Sequence, residues 1–306
     1  MLSTFSSLQR QDRTWVEPLL ARSPSELGSR TFAGLYLWGD HFEYRWTWIE
    51  GYWCVFAGYG PHTYMPWPPL PGPDADVTRW PTVVAAVLAH MEASPDEGAA
   101  ARIDGVDEKE RGAFTALGYD LSVQATEFVY PRAALVSLRG DEYKPKRWAW
   151  NYFFKHHVFR VEPLRPHHAD ACLDLYGRWR DAKRWNDPYA VAMARDAESA
   201  HYRALTELDD LGLTGLTVTI GDRIEGYTVG GPVGPGLFGV FLEIANPEMK
   251  GLSSYLFREF CRAQTGVDWI TAMDDSGLPA LTRAKTSYRP SRLVRSWSIR
   301  RRGAAR

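Results

Sequence analysis

A single acid interrupts an apolar strand in "GLFGVFLEIANP": Glu243 follows Phe241 and Leu242 and precedes Ile244. A carboxyl there is either buried with a raised pKa or a partner in a polar network. Used chemically, it would be a general base or the anchor of a substrate ammonium group. Used structurally, it would pair with Lys285 or an arginine. Further on, "DWITAMDDSGLPALTRAK" ends a strand on Asp274 and Asp275, where ligands gather in open α/β sheets. The same two acids are well placed to cap the helix that follows. Lys285 and Tyr288, near that helix's end, could steady an ester carbonyl or phosphate, or satisfy terminal carbonyls. Glu243 and Lys285 are the catalytic candidates. Asp274, Asp275 and Tyr288 are substrate-binding candidates, joined by Arg283 on the same helix and Asn246 just after the Glu243 strand.

Cations and rings are densest in "DEYKPKRWAWNYFFKHHVFRVEPL". Trp148, Tyr152 and Lys155 recur at helical spacing, so 144–157 reads as a helix linking two halves with that face turned to a core. Lys144, Lys146 and Arg147 form a basic knuckle at its start. A tRNA acceptor end would need such cations with stacking rings; the alternative is a solvated basic surface. The C-terminal stretch from Arg283 adds nine Arg or Lys and no acid. His156-His157 and His167-His168 are adjacent pairs whose side chains diverge, without a third ligand, so no metal is expected. No Ser-His-Asp or Cys-His arrangement supports a covalent mechanism. "GGPVGPG" leads into another strand and not a helix, so it reads as a hairpin turn and not a phosphate loop.

These groups must be positioned by a large folded chain. With 306 residues, 45% apolar content and 13 Trp, there is material for one large or two smaller domains. Net charge is −1, which excludes the global basic field of a dedicated DNA binder. Three scattered cysteines, Cys54, Cys172 and Cys261, argue against a disulfide framework and suit a reducing, cytoplasmic setting. No apolar run is long enough to span a bilayer, leaving only peripheral membrane contact open. Aromatic strands flank Glu50-Gly51, and Trp80, Val83, Val84, Val87, Leu88 and Met91 mark a helix. A second hairpin turns at Gly221-Asp222, and "GLSSYLFREFCRAQ" is an amphipathic helix. Strand, helix and strand close each half in the same order, an architectural repeat. Two lobes are expected, 1–140 and 141–306, with the second better equipped for chemistry.

That order of hairpin, strand, helix, strand, helix and strand resembles the GNAT acyltransferases. "SELGSRTFAGLYLWGDHFEYRW" and "ATEFVYPRAALVSLRGDEYKPKRWAWNYFFK" resemble the opening and central motifs of the phosphatidylglycerol lysyltransferase C-terminal-domain family. "FLEIANPEMKGLSSYLFREF" and "DDSGLPALTRAKTSYRP" resemble its closing motifs. The resemblance implies an α/β (α+β) fold of two tandem GNAT-like lobes with mixed central sheets. It implies transfer of an aminoacyl group from aminoacyl-tRNA to an amine or hydroxyl on a lipid headgroup or small molecule, with no tightly bound cofactor. It also adds Glu198, which matches an acid of the family pattern and is otherwise a solvated helical residue. Thr271 stands where the family usually has Asn, and Met273 where it has Glu. At "EIANPEMKGLSSYLF" only Gly251 remains of the loop that acetyl-CoA enzymes of the superfamily carry, so CoA should bind poorly. An acyl-CoA-dependent N-acyltransferase is the first alternative, and a non-catalytic ligand- or partner-binding protein the second.

Overall fold

Glu50 and Gly51 turn the chain with positive φ, 51° and 82°, the backbone a two-residue hairpin turn demands. Strand β1 (Arg45–Ile49) therefore pairs antiparallel with β2 (Tyr52–Tyr59), Trp48 opposite Trp53. This computed structural model describes residues 5–59, 62–93, 101–182 and 188–303. The chain forms two compact units, Met1–Glu127 with Val294–Arg306, and Phe128–Leu293. Position 140, expected as the lobe boundary, lies in a turn of the second unit at Gly140.

In the first unit, helix α1 (Trp80–Glu92) buries Val83, Val84, Val87, Leu88 and Met91, the stripe its sequence spacing predicts. They pack with Tyr52, Cys54 and Phe56 of β2, with Ile103 and Val106 of β3 (Ile103–Val106), and with Ile299. Strand β4 (Asp120–Pro131) contributes Glu127, whose buried carboxylate accepts the backbone N–H groups of Gly28 at 2.9 Å and Ser29 at 3.3 Å. Two of the family-like motifs thus meet in one charge-assisted cradle.

The second unit is built on a mixed sheet. Strands β5 (Arg160–Pro163), β6 (Thr214–Ile220), β7 (Arg223–Gly234) and β8 (Leu237–Ala245) are antiparallel neighbours in that order. Strand β9 (Trp269–Thr271) then pairs parallel with β8, and on its other side antiparallel with Val129–Pro131. The glycine-rich "GGPVGPG" forms the end of β7 and its turn into β8, a hairpin as expected.

Among the helices of this unit are α2 (Lys144–His156), α3 (Ala169–Ala182), α4 (Pro188–Thr206) and α5 (Leu252–Ala263). Helix α5 buries Leu252, Tyr255, Leu256, Phe257, Phe260 and Cys261 against the sheet. A fully buried Phe side chain stabilises by about 1.5–3 kcal/mol relative to exposure, so this face is a large share of the unit's core.

The segment expected to link the lobes is α2, and it packs on α5 inside the second unit. Its inward face is also not the expected one. Phe153 is fully buried and Trp150 half-buried, whereas Trp148 is 54% exposed. The inward stripe is Lys146, Trp150 and Phe153, at i, i+4 and i+7. Trp148 and Tyr152 lie off that stripe, with the Lys250 ammonium 4.7 and 5.0 Å from their ring centres.

Gly251 fixes how α5 starts. Its φ is 88°, and a Cβ there would lie 2.1 Å from the Ala149 carbonyl oxygen on α2. Left-handed backbone strain and overpacking each cost about 1–3 kcal/mol. We expect Gly251→Ala to lower unfolding stability by about 2–4 kcal/mol, read as a fall in urea midpoint at unchanged slope. An unshifted midpoint would contradict the close contact.

Candidate active site

Pairing between β8 and β9 stops at Gly239↔Thr271, while β8 continues to Ala245. Beyond that point the two strands part, and Glu243 lies on the continuing stretch, opposite Thr228 on its paired side. Helix α6 (Pro279–Thr286) and the residues after it lie along the gap. A cavity of about 330 Å³ remains, lined by Glu243, Ser253, Lys285 and Tyr288 among apolar walls that include Phe257 and Leu281. This is the size and mixed character of a small-molecule pocket.

Glu243 is the most perturbed acid of this unit. Its Oε1 accepts a hydrogen bond from the Ser253 hydroxyl at 2.8 Å. Its Oε2 is closed off from solvent and has no hydrogen-bond partner. Burial pushes the carboxyl up from its ordinary 4.5 to about 7; the Ser253 bond and the charges of Lys146 and Lys285 pull the other way. Burial wins because an unpaired carboxylate oxygen in an apolar wall loses more hydration than two partly shielded cations return.

Lys146 comes to this site from α2, which the sequence assigned to tRNA contact. Its ammonium sits 3.9 Å from the centre of the Tyr288 ring. Burial lowers its pKa and the charge of Glu243 opposes that. Tyr288 shares a hydrogen bond with Ser254, and burial raises its phenol well above the usual value. Lys285 donates to the backbone carbonyls of Ala272, at 2.6 Å, and of Asp274, so it closes the end of β9 as well as charging the pocket. Ser253, Ser254 and Lys146 are the members that sequence reasoning missed. The serines carried no signal beyond their place in the first turn of an amphipathic helix.

The remaining candidates lie elsewhere. Asp274 accepts from the Ser276 backbone N–H at 2.7 Å and Asp275 from the Thr282 hydroxyl at 2.6 Å; both build the turn into α6, and neither lines the pocket. Asn246 donates to buried Glu225 at 2.9 Å, and Arg178 of α3 approaches the same carboxylate at 3.4 Å. Glu198 of α4 forms an exposed ion pair with Arg180 at 2.7 Å. Lys144 pairs with Asp141 at 3.1 Å on the surface. Arg147 donates to the carbonyls of Leu138 and Gly140, the latter at 2.6 Å. The basic knuckle is thus three cations with three different tasks. Arg283 lies on α6 but is exposed and does not line the pocket. Arg306, last of the C-terminal cations, is outside the described residues. Among the described residues no three His, Cys, Asp or Glu side chains converge as a metal site would require.

Removing the Lys146 charge should let Glu243 hold its proton more tightly. We expect Lys146→Met to raise the Glu243 titration by about one unit, the low end for loss of a nearby opposite charge. Lys144→Met should leave it in place. Carboxyl-detected NMR titration reads both, and equal curves for the two variants would break the electrostatic link.

Comparison with known proteins follows the same outline. A conserved protein of unknown function from Bacteroides thetaiotaomicron VPI-5482 superposes with TM-score 0.84 at 21% identity, covering 99% of this chain and all of that one. The structure of L-PGS from Bacillus licheniformis matches with TM-score 0.61 at 15% identity over 95% of this chain and 92% of that one. FemX matches with TM-score 0.57 at 10% identity over 97% of each. No curated protein matches the sequence. These likenesses establish the tandem GNAT-like α/β fold. The family described as phosphatidylglycerol lysyltransferase, C-terminal, matches residues 20–300, and the chain belongs to that family.

Proposed function

We propose that the second unit is an acyltransferase that moves an aminoacyl group from aminoacyl-tRNA to an amine or hydroxyl acceptor, a lipid headgroup or a small molecule. The observation that carries this reading is Glu243, a carboxyl held near neutral pKa in the wall of a largely apolar pocket. A general base works best when its pKa lies near the working pH. The acceptor's N–H or O–H would give its proton to Glu243 as its lone pair attacks the ester carbonyl. The carbon–oxygen bond to the donor then breaks, and Glu243 returns the proton to the leaving ribose hydroxyl. Lys285 and Tyr288 line the same pocket, with the Lys146 ammonium behind the Tyr288 ring, and fixed charges beside an apolar cavity would steady the negative charge that develops on the carbonyl oxygen. Holding both reactants together supplies most of the acceleration.

Two observations support retained chemistry with this donor over the alternatives. Thr271 and Met273, where the chain departs from its family, do not line the pocket; the Thr271 hydroxyl accepts the Met273 backbone N–H at 3.2 Å and shapes the strand end. The start of α5, where a CoA pyrophosphate would need room, is closed by the Ala149 carbonyl. No helix among the described residues is long and apolar enough to cross a membrane, so a lipid acceptor would be reached from the surface.

Single-turnover assays with mixed aminoacyl-tRNA and candidate acceptors test the reading. Glu243→Gln keeps the shape and should slow transfer roughly 10²- to 10⁴-fold. Transfer from acetyl-CoA but not from aminoacyl-tRNA would replace the donor; normal turnover by the Gln variant would remove Glu243 from the chemistry. Stability gives an independent readout. The folded carboxyl titrates near 7 and the unfolded one near 4.5, so between those values the native state holds the extra proton and its stability falls as pH rises. Glu243→Gln has no such loss. Its urea midpoint should match wild type near pH 4.5 and exceed it at pH 8, and a constant difference would mean the carboxyl is not perturbed.

A further inference from the structure

Helix α6 has two working faces. Leu281, Ala284, Lys285 and then Tyr288 line the Glu243 pocket. Thr282, Arg283, Thr286 and then Ser287 and Arg289 line a second cleft of about 390 Å³, closed on its far side by Pro145 and Lys146 of α2. Lys146 belongs to both, since it lines the cleft while its ammonium rests on the Tyr288 ring of the pocket.

The cleft gathers more positive than negative charge. Among the described residues, Arg283 and Arg289 have no ion-pair partner, whereas Arg178, Arg180 and Arg262 of the same unit each pair with a carboxylate. One acid, Glu142, stands among the three cations. Arg289 is held at φ 55°, a left-handed backbone that costs a non-glycine residue about 1–2 kcal/mol. Pro145 and Lys146 form the first turn of a helix with no side-chain cap, so its backbone dipoles add to the positive field. Like charges confined in one concavity repel unless an anion joins them, and two guanidinium forks match the oxygens of a phosphate.

We propose that this cleft is a phosphate-ester subsite, holding the phosphate of a substrate whose reacting end lies in the Glu243 pocket. The identity of the reacting end rests on the function proposed above; the phosphate chemistry rests on the cleft alone. Two sources share that chemistry, the nucleotide end of a donor and the headgroup of a lipid acceptor.

Calorimetry with AMP and with sn-glycerol 3-phosphate, each at low and at 0.2 M salt, separates them. Wild type should bind one of the two, more weakly at high salt. The double variant Arg283→Ala/Arg289→Ala should lose at least tenfold in affinity, and Arg283→Lys/Arg289→Lys should recover part of it. Preference for AMP places a nucleotide in the cleft; preference for glycerol 3-phosphate places a lipid headgroup there. Both arginines are exposed, and removing mutually repelling charges should leave the melting temperature unchanged or raise it, so loss of binding is not loss of fold. Glu243→Gln should bind the same probe as wild type. If aminoacyl transfer is absent yet probe binding depends on the two arginines, the subsite stands and the reaction falls. No binding of either probe at low salt, or equal binding by the double Ala variant, overturns the subsite.

Discussion

Parallel pairing between β8 and β9 lasts only from Leu237↔Trp269 to Gly239↔Thr271, and the pocket exists because it stops there. A strand edge left open inside a domain exposes backbone donors and acceptors that must be covered or satisfied. Lys285 meets part of that need, since its ammonium binds the carbonyls of Ala272 and Asp274 just past the end of β9. Tyr130 in turn donates its hydroxyl to the Lys285 carbonyl at 2.9 Å. The same lysine therefore finishes a broken strand and places a positive charge near Glu243. Helix α6 covers the gap without filling it, and the remaining space is the cavity.

Inside that cavity the electrostatics are held in tension. Glu243 has one oxygen satisfied by Ser253 and one left bare, an arrangement that costs stability whenever the group is charged. Lys146 faces the complementary penalty, and the Tyr288 ring beneath it offsets part of it through a cation–π contact. Full pairing of the two charges would relieve both, yet the Glu243 carboxyl still titrates near 7. An acid and a base kept short of neutralising each other, in an apolar wall, cost stability that the rest of the unit must offset.

Much of this was legible in the sequence, and the misses have physical causes. An acid between Leu242 and Ile244 announces itself, because few other arrangements justify it. The hairpin turns at Gly51 and Gly221 and the buried stripe of α1 follow from local backbone and periodicity. Helix α2 was misphased because it carries two aromatic pairs at helical spacing, Trp148–Tyr152 four residues apart and Trp150–Phe153 three apart, on different faces. Periodicity cannot choose between them; a distant residue does. Gly251 approaches Ala149 closely, and only the phase that turns Ala149 toward α5 permits it. The small residue in an otherwise bulky helix was the available signal, and following it would have carried Lys146 inward with Phe153. Asp274 and Asp275 allowed two readings in sequence, substrate ligand or helix cap; their bonds to Ser276, Gly277 and Thr282 are local turn bonds, and Leu278, not either acid, stands at the N-cap of α6.

The positions at which the chain departs from its family acquire a meaning in this frame. Thr271 is fully buried and Met273 adopts φ 59°, a left-handed conformation uncommon for a residue other than glycine. The Thr271 hydroxyl bonded to the Met273 backbone N–H supplies locally a contact that a longer polar side chain could make while also reaching outward. The pocket walls come from four other stretches, at Tyr130, Val240–Glu243, Ser253–Phe257 and Leu281–Tyr288, with Ala272 the one contribution from this strand end. The cavity's acid stands on β8 and is bonded from α5, its apolar wall includes Phe257 of α5 and Leu281 of α6, and Lys285 of α6 is itself held by the strand end through the Ala272 and Asp274 carbonyls.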